Sequence, residues 1–164
     1  SDVYEKKRDF PKAIEAYKNY LDEMKSSPDI SDLFLYGRLN YYAATDSAYQ
    51  DKQPTYLAEA DTIFAQVAVK VPDNYLGNFW RARVNSLRDP ETTQGLAKPY
   101  YEAALSILEQ KSDATKSVLV ECNSYLGYYY FVKEDYNQSK QYWNKILEID
   151  PENETATKAL GGIK

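Results

Sequence analysis

Residues 120–153 read VECNSYLGYYYFVKEDYNQSKQYWNKILEIDPEN, and their spacing decides the architecture. Leu126 and Gly127 are followed by Tyr130, then by Ser139, Trp143 and Pro151. The apolar positions recur every three or four residues on both sides of Glu134-Asp135, which is the pattern of two amphipathic helices joined by a turn. The first is predicted to run through Val132 and the second from Tyr136 to Ile149, with Pro151 beyond its end. Gly127 and Ser139 are small residues where two helices must approach closely. Trp143 is large enough to fill the space beside them. A mid-helix glycine costs about 1 kcal/mol relative to alanine, so its presence argues for a packing role.

The same offsets recur upstream. Gly37 takes the site of Gly127, with Phe34, Tyr41 and Tyr42 around it. Ala60, Phe64 and Pro72 are spaced as Ser139, Trp143 and Pro151 are. Ala97, Tyr101 and Ala104 repeat the spacing of Ala60, Phe64 and Val67, and Ala82 takes the small site in the helix before them. Between Gly37 and Phe64 lie about eleven more residues than between Gly127 and Trp143, an insertion centred on Tyr49 to Pro54 that is long for a connection between paired helices.

Taken in order, the chain divides into a partial unit (1–28), a unit with a long insertion (29–73), two further units (74–111 and 113–152) and a closing helix (153–164). In the first, Pro11 suits a first helical turn, and Ala13, Ala16, Tyr17, Tyr20, Leu21 and Met24 fall on one side. Its partner would be only Asp2 to Lys7, so at least one upstream helix is expected. Ser31 or Asp32 is expected to cap the next helix, which should run to about Ala48. The third unit's first helix is placed from Asn74 to about Leu87. Pro99 would break a helix interior, so the regular helix is expected to begin near Lys98, after a looser turn over 92–97, or else to kink. Asp113 is the expected cap of the helix that follows. Ala156, Ala159, Leu160 and Ile163 line one face of the last helix, with Gly161-Gly162 expected to fray its end.

Residues 120–153 resemble the tetratricopeptide repeat, whose pattern is W-x2-L-G-x2-Y, then A-x3-F, then P, over about 34 residues. Every spacing is kept. Asn123 stands where the pattern has Trp, Ser139 where it has Ala, and Trp143 where it has Phe. The segment Gly95 to Glu102 also resembles stretches of bacterial tetratricopeptide proteins of unassigned function. The resemblance implies an all-α fold, a right-handed superhelical stack of antiparallel helix pairs with a C-terminal capping helix. It implies a protein- or peptide-binding scaffold using the inner face of the stack. A structural, self-associating segment of a larger repeat protein is the alternative, with a homo-oligomer formed through the exposed end of the array. It leaves the compartment open between the bacterial periplasm and cytoplasm.

Composition narrows the chemistry. The chain has 164 residues, a net charge of −5 and no histidine. An acidic chain lacks the electrostatic footprint for nucleic acid. Without histidine there is no common general base or imidazole metal ligand. No Walker loop, metal-ligand spacing or nucleophile–base pair is present, so no enzyme, cofactor or metal is expected. The lone Cys122 sits inside a helix, where a small core residue is the expected role. No apolar run approaches the ~20 residues of a membrane span. The acidic group Glu148, Asp150, Glu152 and Glu154 lacks the glycine and spacing of a calcium loop and reads as solvated surface.

The first helix of each pair would line the inner surface of such a stack. In this register the candidate peptide-binding residues are Phe34, Arg38 and Tyr41, then Phe79 and Arg83, then Tyr128 and Phe131. Arg38, Arg83 and Tyr128 fall at one site of successive units. Arginine forks suit carboxylates, and rings with arginine are enriched at interface cores. Equally, the rings could pack on neighbouring helices and the arginines meet internal acids. One subclass of the family holds the C-terminal carboxylate of chaperones with Lys and Asn at set sites. Those sites are not filled that way here, so that activity is not carried over.

Overall fold

The computed structural model describes residues 9–24 and 27–163. The short helix expected over Asp2 to Lys7 lies outside them. The described residues form α1 (Phe10–Glu23), α2 (Ile30–Thr45), a short 3-10 segment (Ser47–Lys52), α3 (Gln53–Lys70), α4 (Leu76–Arg88), α5 (Lys98–Leu108), α6 (Lys116–Val132), α7 (Tyr136–Ile149) and α8 (Glu154–Gly162). The fold is all-α. The chain separates into two compact units, Ser1–Arg88 and Asp89–Lys164. The division falls in the turn of the 74–111 segment.

In the first unit, α1 buries Phe10, Ala13 and Tyr17. Ala16 and Tyr20, expected on the same face, are exposed, because an apolar stripe narrower than the sequence suggested meets the next helix. The Tyr17 hydroxyl donates to Asp32 Oδ1 at 3.0 Å, and its ring stacks on Tyr36. Burial and the adjacent Asp32 carboxylate both raise the Tyr17 pKa.

The cap of α2 is Asp29, not Ser31 or Asp32. Asp29 accepts from the Asp32 N–H at 2.8 Å, and Asp32 reaches back to the Asp29 N–H. This reciprocal capping box satisfies two donors that would otherwise lack partners. The helix ends at Thr45 rather than Ala48, because the Asp46 carboxylate accepts from the Ala48 N–H and starts a 3-10 turn. That turn and a longer α3, 18 residues against 14 in α7, absorb the insertion as helix rather than as a long loop.

Close approach between helices occurs at small residues. A Cβ on Gly37 would lie 2.7 Å from Cε1 of Phe64, which is itself fully buried. Gly77 is tighter: a Cβ there would meet the Ala68 backbone nitrogen at 2.5 Å. Helix α4 begins at Leu76 rather than Asn74, since the Asn74 side chain caps the Leu76 N–H. It is tied to α3 through Asp61, which accepts from Arg81 Nε at 3.1 Å and from Asn85 Nδ2 at 3.0 Å, with Arg88 Nη1 at 3.9 Å.

The second unit opens on a loop organised by Asp89, only 3% exposed. Its Oδ2 accepts from the N–H groups of Gln94 (3.0 Å), Gly95 (2.7 Å) and Leu96 (3.4 Å). The turn needs positive φ at Thr92 (56°) and Gly95 (72°). A side chain at Gly95 would collide with the Tyr129 ring as well. Helix α5 then starts at Lys98 with Pro99 in its first turn, where the missing N–H is harmless. Ala97 is fully buried as the residue capping α5 rather than inside it.

Asp113 does not cap α6; Thr115 holds that position with no side-chain bond, and the helix starts at Lys116. Helices α6 and α7 pack through Gly127, where a Cβ would lie 2.7 Å from Cε2 of Trp143. The Ser139 hydroxyl donates to the Gly127 carbonyl at 2.7 Å, so the serine in the small site also pins the crossing. Cys122 and Leu126 are fully buried, and Tyr130 stacks on Tyr142 at 5.6 Å. Helix α8, capped by Asn153, covers Trp143 and Ile146 with Ala156, Ala159, Leu160 and Ile163. It stays helical through Gly161 and Gly162, where the sequence reading expected fraying.

Candidate functional site

Two surfaces hold the sequence-derived candidates, one in each unit. In the first unit the centre is Trp80, a residue that sequence reasoning did not single out. Its ring stacks on Phe64 (5.5 Å between centroids) and receives the edges of Phe34 (5.8 Å) and Tyr41 (5.2 Å). Two guanidinium groups lie near it: Arg83 at 4.8 Å and Arg38 at 5.7 Å from the ring centroid. Arg38 is also 5.4 Å from the Tyr42 ring and donates from Nη2 to the Tyr42 hydroxyl at 3.2 Å. Arg83 is 4.4 Å from the Phe79 ring.

The periodicity explains the convergence. Phe34, Arg38 and Tyr41 are spaced by four and three along α2, and Trp80 and Arg83 by three along α4, so each set shares a helix face. Gly37 and Gly77 let α3 lie close to both helices, which brings the two faces to one cluster. Phe79, by contrast, is only 3% exposed and lies beneath Arg83, where it supports the guanidinium rather than meeting solvent.

The electrostatics of Arg38 are unusual. Among the described residues no carboxylate lies within ion-pair distance of it. Its buried Nε has no hydrogen-bond partner among the described residues. Cation–ring contacts of this kind contribute about 0.5–1 kcal/mol each at exposed sites and more when desolvated. They hold the guanidinium in place without neutralising it. Asp61, in the same unit, pairs with Arg81 and Arg88 rather than with Arg38.

In the second unit Tyr128 and Phe131 are each 42% exposed. With Trp143, Lys158, Ala159 and Ile163 they line an apolar hollow of about 240 Å³ between α6, α7 and α8. Lys158 at its edge pairs with Glu154 at 3.2 Å, and both side chains are largely exposed. Exposed pairs of this kind contribute about 0–1 kcal/mol, so the Lys158 ammonium is readily lent to another carboxylate.

Among the described residues no group of acidic or cysteine side chains has metal-binding geometry, and no helix is long and apolar enough to cross a membrane. The acidic residues from Glu148 to Glu154 lie at the end of α7 and the start of α8.

No protein-family model matches the chain, and no curated relative matches it. Its structure is similar to that of the C-terminal part of a TPR repeat-containing protein from Cytophaga hutchinsonii, with a TM-score of 0.83 and 32% sequence identity. The similarity covers 97% of this chain and 57% of the other, so the chain spans little more than half the length of that structure.

Proposed function

We propose that this chain, whose fold is that of a tetratricopeptide-repeat array, is a non-catalytic module that binds a protein or peptide partner bearing carboxylate and aromatic side chains. The observation that carries the reading is Arg38: a guanidinium held among Phe34, Tyr42 and Trp80, with, among the described residues, no acid in ion-pair distance and no partner for its buried Nε. A partly desolvated cation without a counter-charge gains more from an incoming carboxylate than a solvated lysine would, because the local dielectric is lower. The rings around it offer rigid apolar area, the composition that concentrates binding energy at interfaces. In the other unit, the hollow beside Tyr128 and Phe131 would take an apolar side chain of the partner, with Lys158 at its edge.

A synthetic array of linear peptides, scanning acidic and aromatic residues in every combination, tests this directly. Acidic-aromatic peptides should bind the wild-type protein and lose most of that binding to Arg38→Gln, with circular dichroism unchanged. Binding that is indifferent to peptide charge, or retained by Arg38→Gln, would remove the cluster from consideration.

A further inference from the structure

Beside the hollow of the second unit stands a ring that does not line it. Tyr136 is 41% exposed, and its ring centroid lies 5.9 Å from that of Phe131, which does line the hollow. Tyr136 is the first residue of α7 and directly follows Glu134 and Asp135, both exposed. The turn that carries them is fixed. The Glu134 N–H donates to the Phe131 carbonyl at 3.0 Å, and the Asp135 N–H to the Tyr130 carbonyl at 2.9 Å. The Asp135 carboxylate accepts from the Gln138 N–H at 3.1 Å and caps α7. A ring carried on such a turn loses little backbone freedom on docking.

The hollow is open to an outside group. Gly162 lines it, and a Cβ built there would meet nothing within 4 Å. Gly37, Gly77, Gly95 and Gly127 each abut a neighbour instead. The volume, about 240 Å³, falls short of the roughly 300–1,000 Å³ of drug-sized clefts and suits a single side chain. The rings of Tyr128, Phe131 and Trp143, with Ala159 and Ile163, make its wall apolar. Lys158 at the edge is 78% exposed and pairs with the equally exposed Glu154. Exposed pairs of this kind exchange readily for other partners.

We infer that this surface joins two copies of the chain: Tyr136 of each copy enters the hollow of the other, and Glu134 of each meets Lys158 of the other. The occupant matches the seat, a ring for an apolar wall and a carboxylate beside it for the ammonium at the edge. Ring and hollow also lie side by side, so one patch carries both donor and receptor and is self-complementary. An isologous two-fold interface requires this, with residue i on j and j on i. Aromatic anchors that fill pockets are where such interfaces concentrate their energy. The inference rests on the hollow being a seat for a partner's apolar side chain, and it does not involve Arg38.

Sedimentation velocity of the whole chain, over a dilution series from millimolar to micromolar, tests it. A monomer–dimer equilibrium is expected. Gly162→Leu fills the hollow from within and should weaken the dimer about tenfold, the effect of losing a buried aromatic anchor. Tyr136→Ser removes an exposed ring and should do the same. Lys158→Glu sets like charges against each other and should weaken the dimer about fivefold. Adding Glu134→Lys to that chain restores opposite charges and should recover the wild-type constant. A wild type that stays monomeric, or a dimer indifferent to Gly162→Leu and Tyr136→Ser, would overturn the inference. No recovery in the charge-swapped double variant would overturn the Glu134–Lys158 contact. A peptide titration separates this failure from failure of the seat itself. If a monomeric wild type binds acidic-aromatic peptides and Gly162→Leu binds them more weakly, the seat stands and the second copy is lost. If Gly162→Leu changes neither measurement, both are lost.

Discussion

Gly127 lies directly beneath the indole of Trp143, so close that a methyl group on it would stand 2.7 Å from Cε2 and 2.9 Å from Nε1. Gly37 has the same relation to Phe64 in the other unit, at the same 2.7 Å. Gly127→Leu should therefore lower the melting temperature. Overpacking a buried ring contact costs about 1–3 kcal/mol, and the helix-propensity gain of about 1 kcal/mol on leaving glycine does not offset it. An unchanged thermal melt would contradict the packing of α6 against α7.

Gly77 supports a sharper comparison. Its obstacle is the Ala68 backbone, which cannot rotate away as a ring can. Gly77→Ala should destabilise more than Gly37→Ala in urea unfolding, although both add one methyl group. The reverse order would mean that α3 and α4 separate easily.

Asp89 should make the second unit acid-sensitive. Burial raises the pKa of its carboxyl, but the N–H groups of Gln94, Gly95 and Leu96 and the Thr93 hydroxyl outweigh that and leave it below the ordinary 3.8. A depressed folded-state pKa contributes stability that is fully present above the unfolded value and is lost as pH falls through the folded one. The melting temperature of wild type should thus drop as pH falls below about 4. Asp89→Asn, measured at neutral pH, should lose about 2 kcal/mol, the range for hydrogen bonds to a charged group. A variant as stable as wild type would show that the loop does not need the carboxylate.

Asp61 anchors α4 to α3 through Arg81 and Asn85. With about a fifth of its side chain exposed, it is more sheltered than a surface ion-pair partner. Asp61→Ala should destabilise by about 1–3 kcal/mol, because the partly buried Asn85 amide and Arg81 guanidinium both lose an acceptor. Chemical denaturation monitored by circular dichroism reads this. A loss below the error of the fit would reduce Asp61 to a surface charge.

Arg83 lies over Phe79 and Trp80, 4.4 and 4.8 Å from their ring centroids. Arg83→Leu keeps apolar cover on those rings and removes the charge, so acidic peptides that depend on Arg38 should bind more weakly while the circular dichroism stays helical. Full retention of peptide binding would confine the cation site to Arg38.

The helices and most of their buried faces follow from periodicity, although Ala16 and Tyr20 of α1 turned out exposed. Small–large spacing at Gly37 and Phe64, and again at Gly127 and Trp143, marked the crossings, and Pro99 marked the start of α5. The boundaries that shifted did so for local electrostatic reasons: Asp29 rather than Ser31 caps α2, and Asp46 ends it early. Phe34, Arg38 and Tyr41 were also legible as neighbours, because three- and four-residue spacing places side chains on one face of α2; Arg83, on α4, joins them only where the two helices meet.

Trp80, Asp61, Asp89 and Asn123 were not legible in the same way. Trp80 reads as one more apolar residue until α2 and α4 converge around it. Asp89 looks like an ordinary turn acid until three backbone N–H groups close on its carboxylate. Asn123 looks like a tolerated substitution until the fold buries its amide and leaves Oδ1 without a partner among the described residues. Helical periodicity is a property of near neighbours along the chain, so the sequence by itself determined which helices form and which sides they bury. Counter-charges, ring clusters and hollows depend on residues tens of positions apart, and only their meeting in three dimensions decided which arginine lacks an acid and which amide lacks a donor.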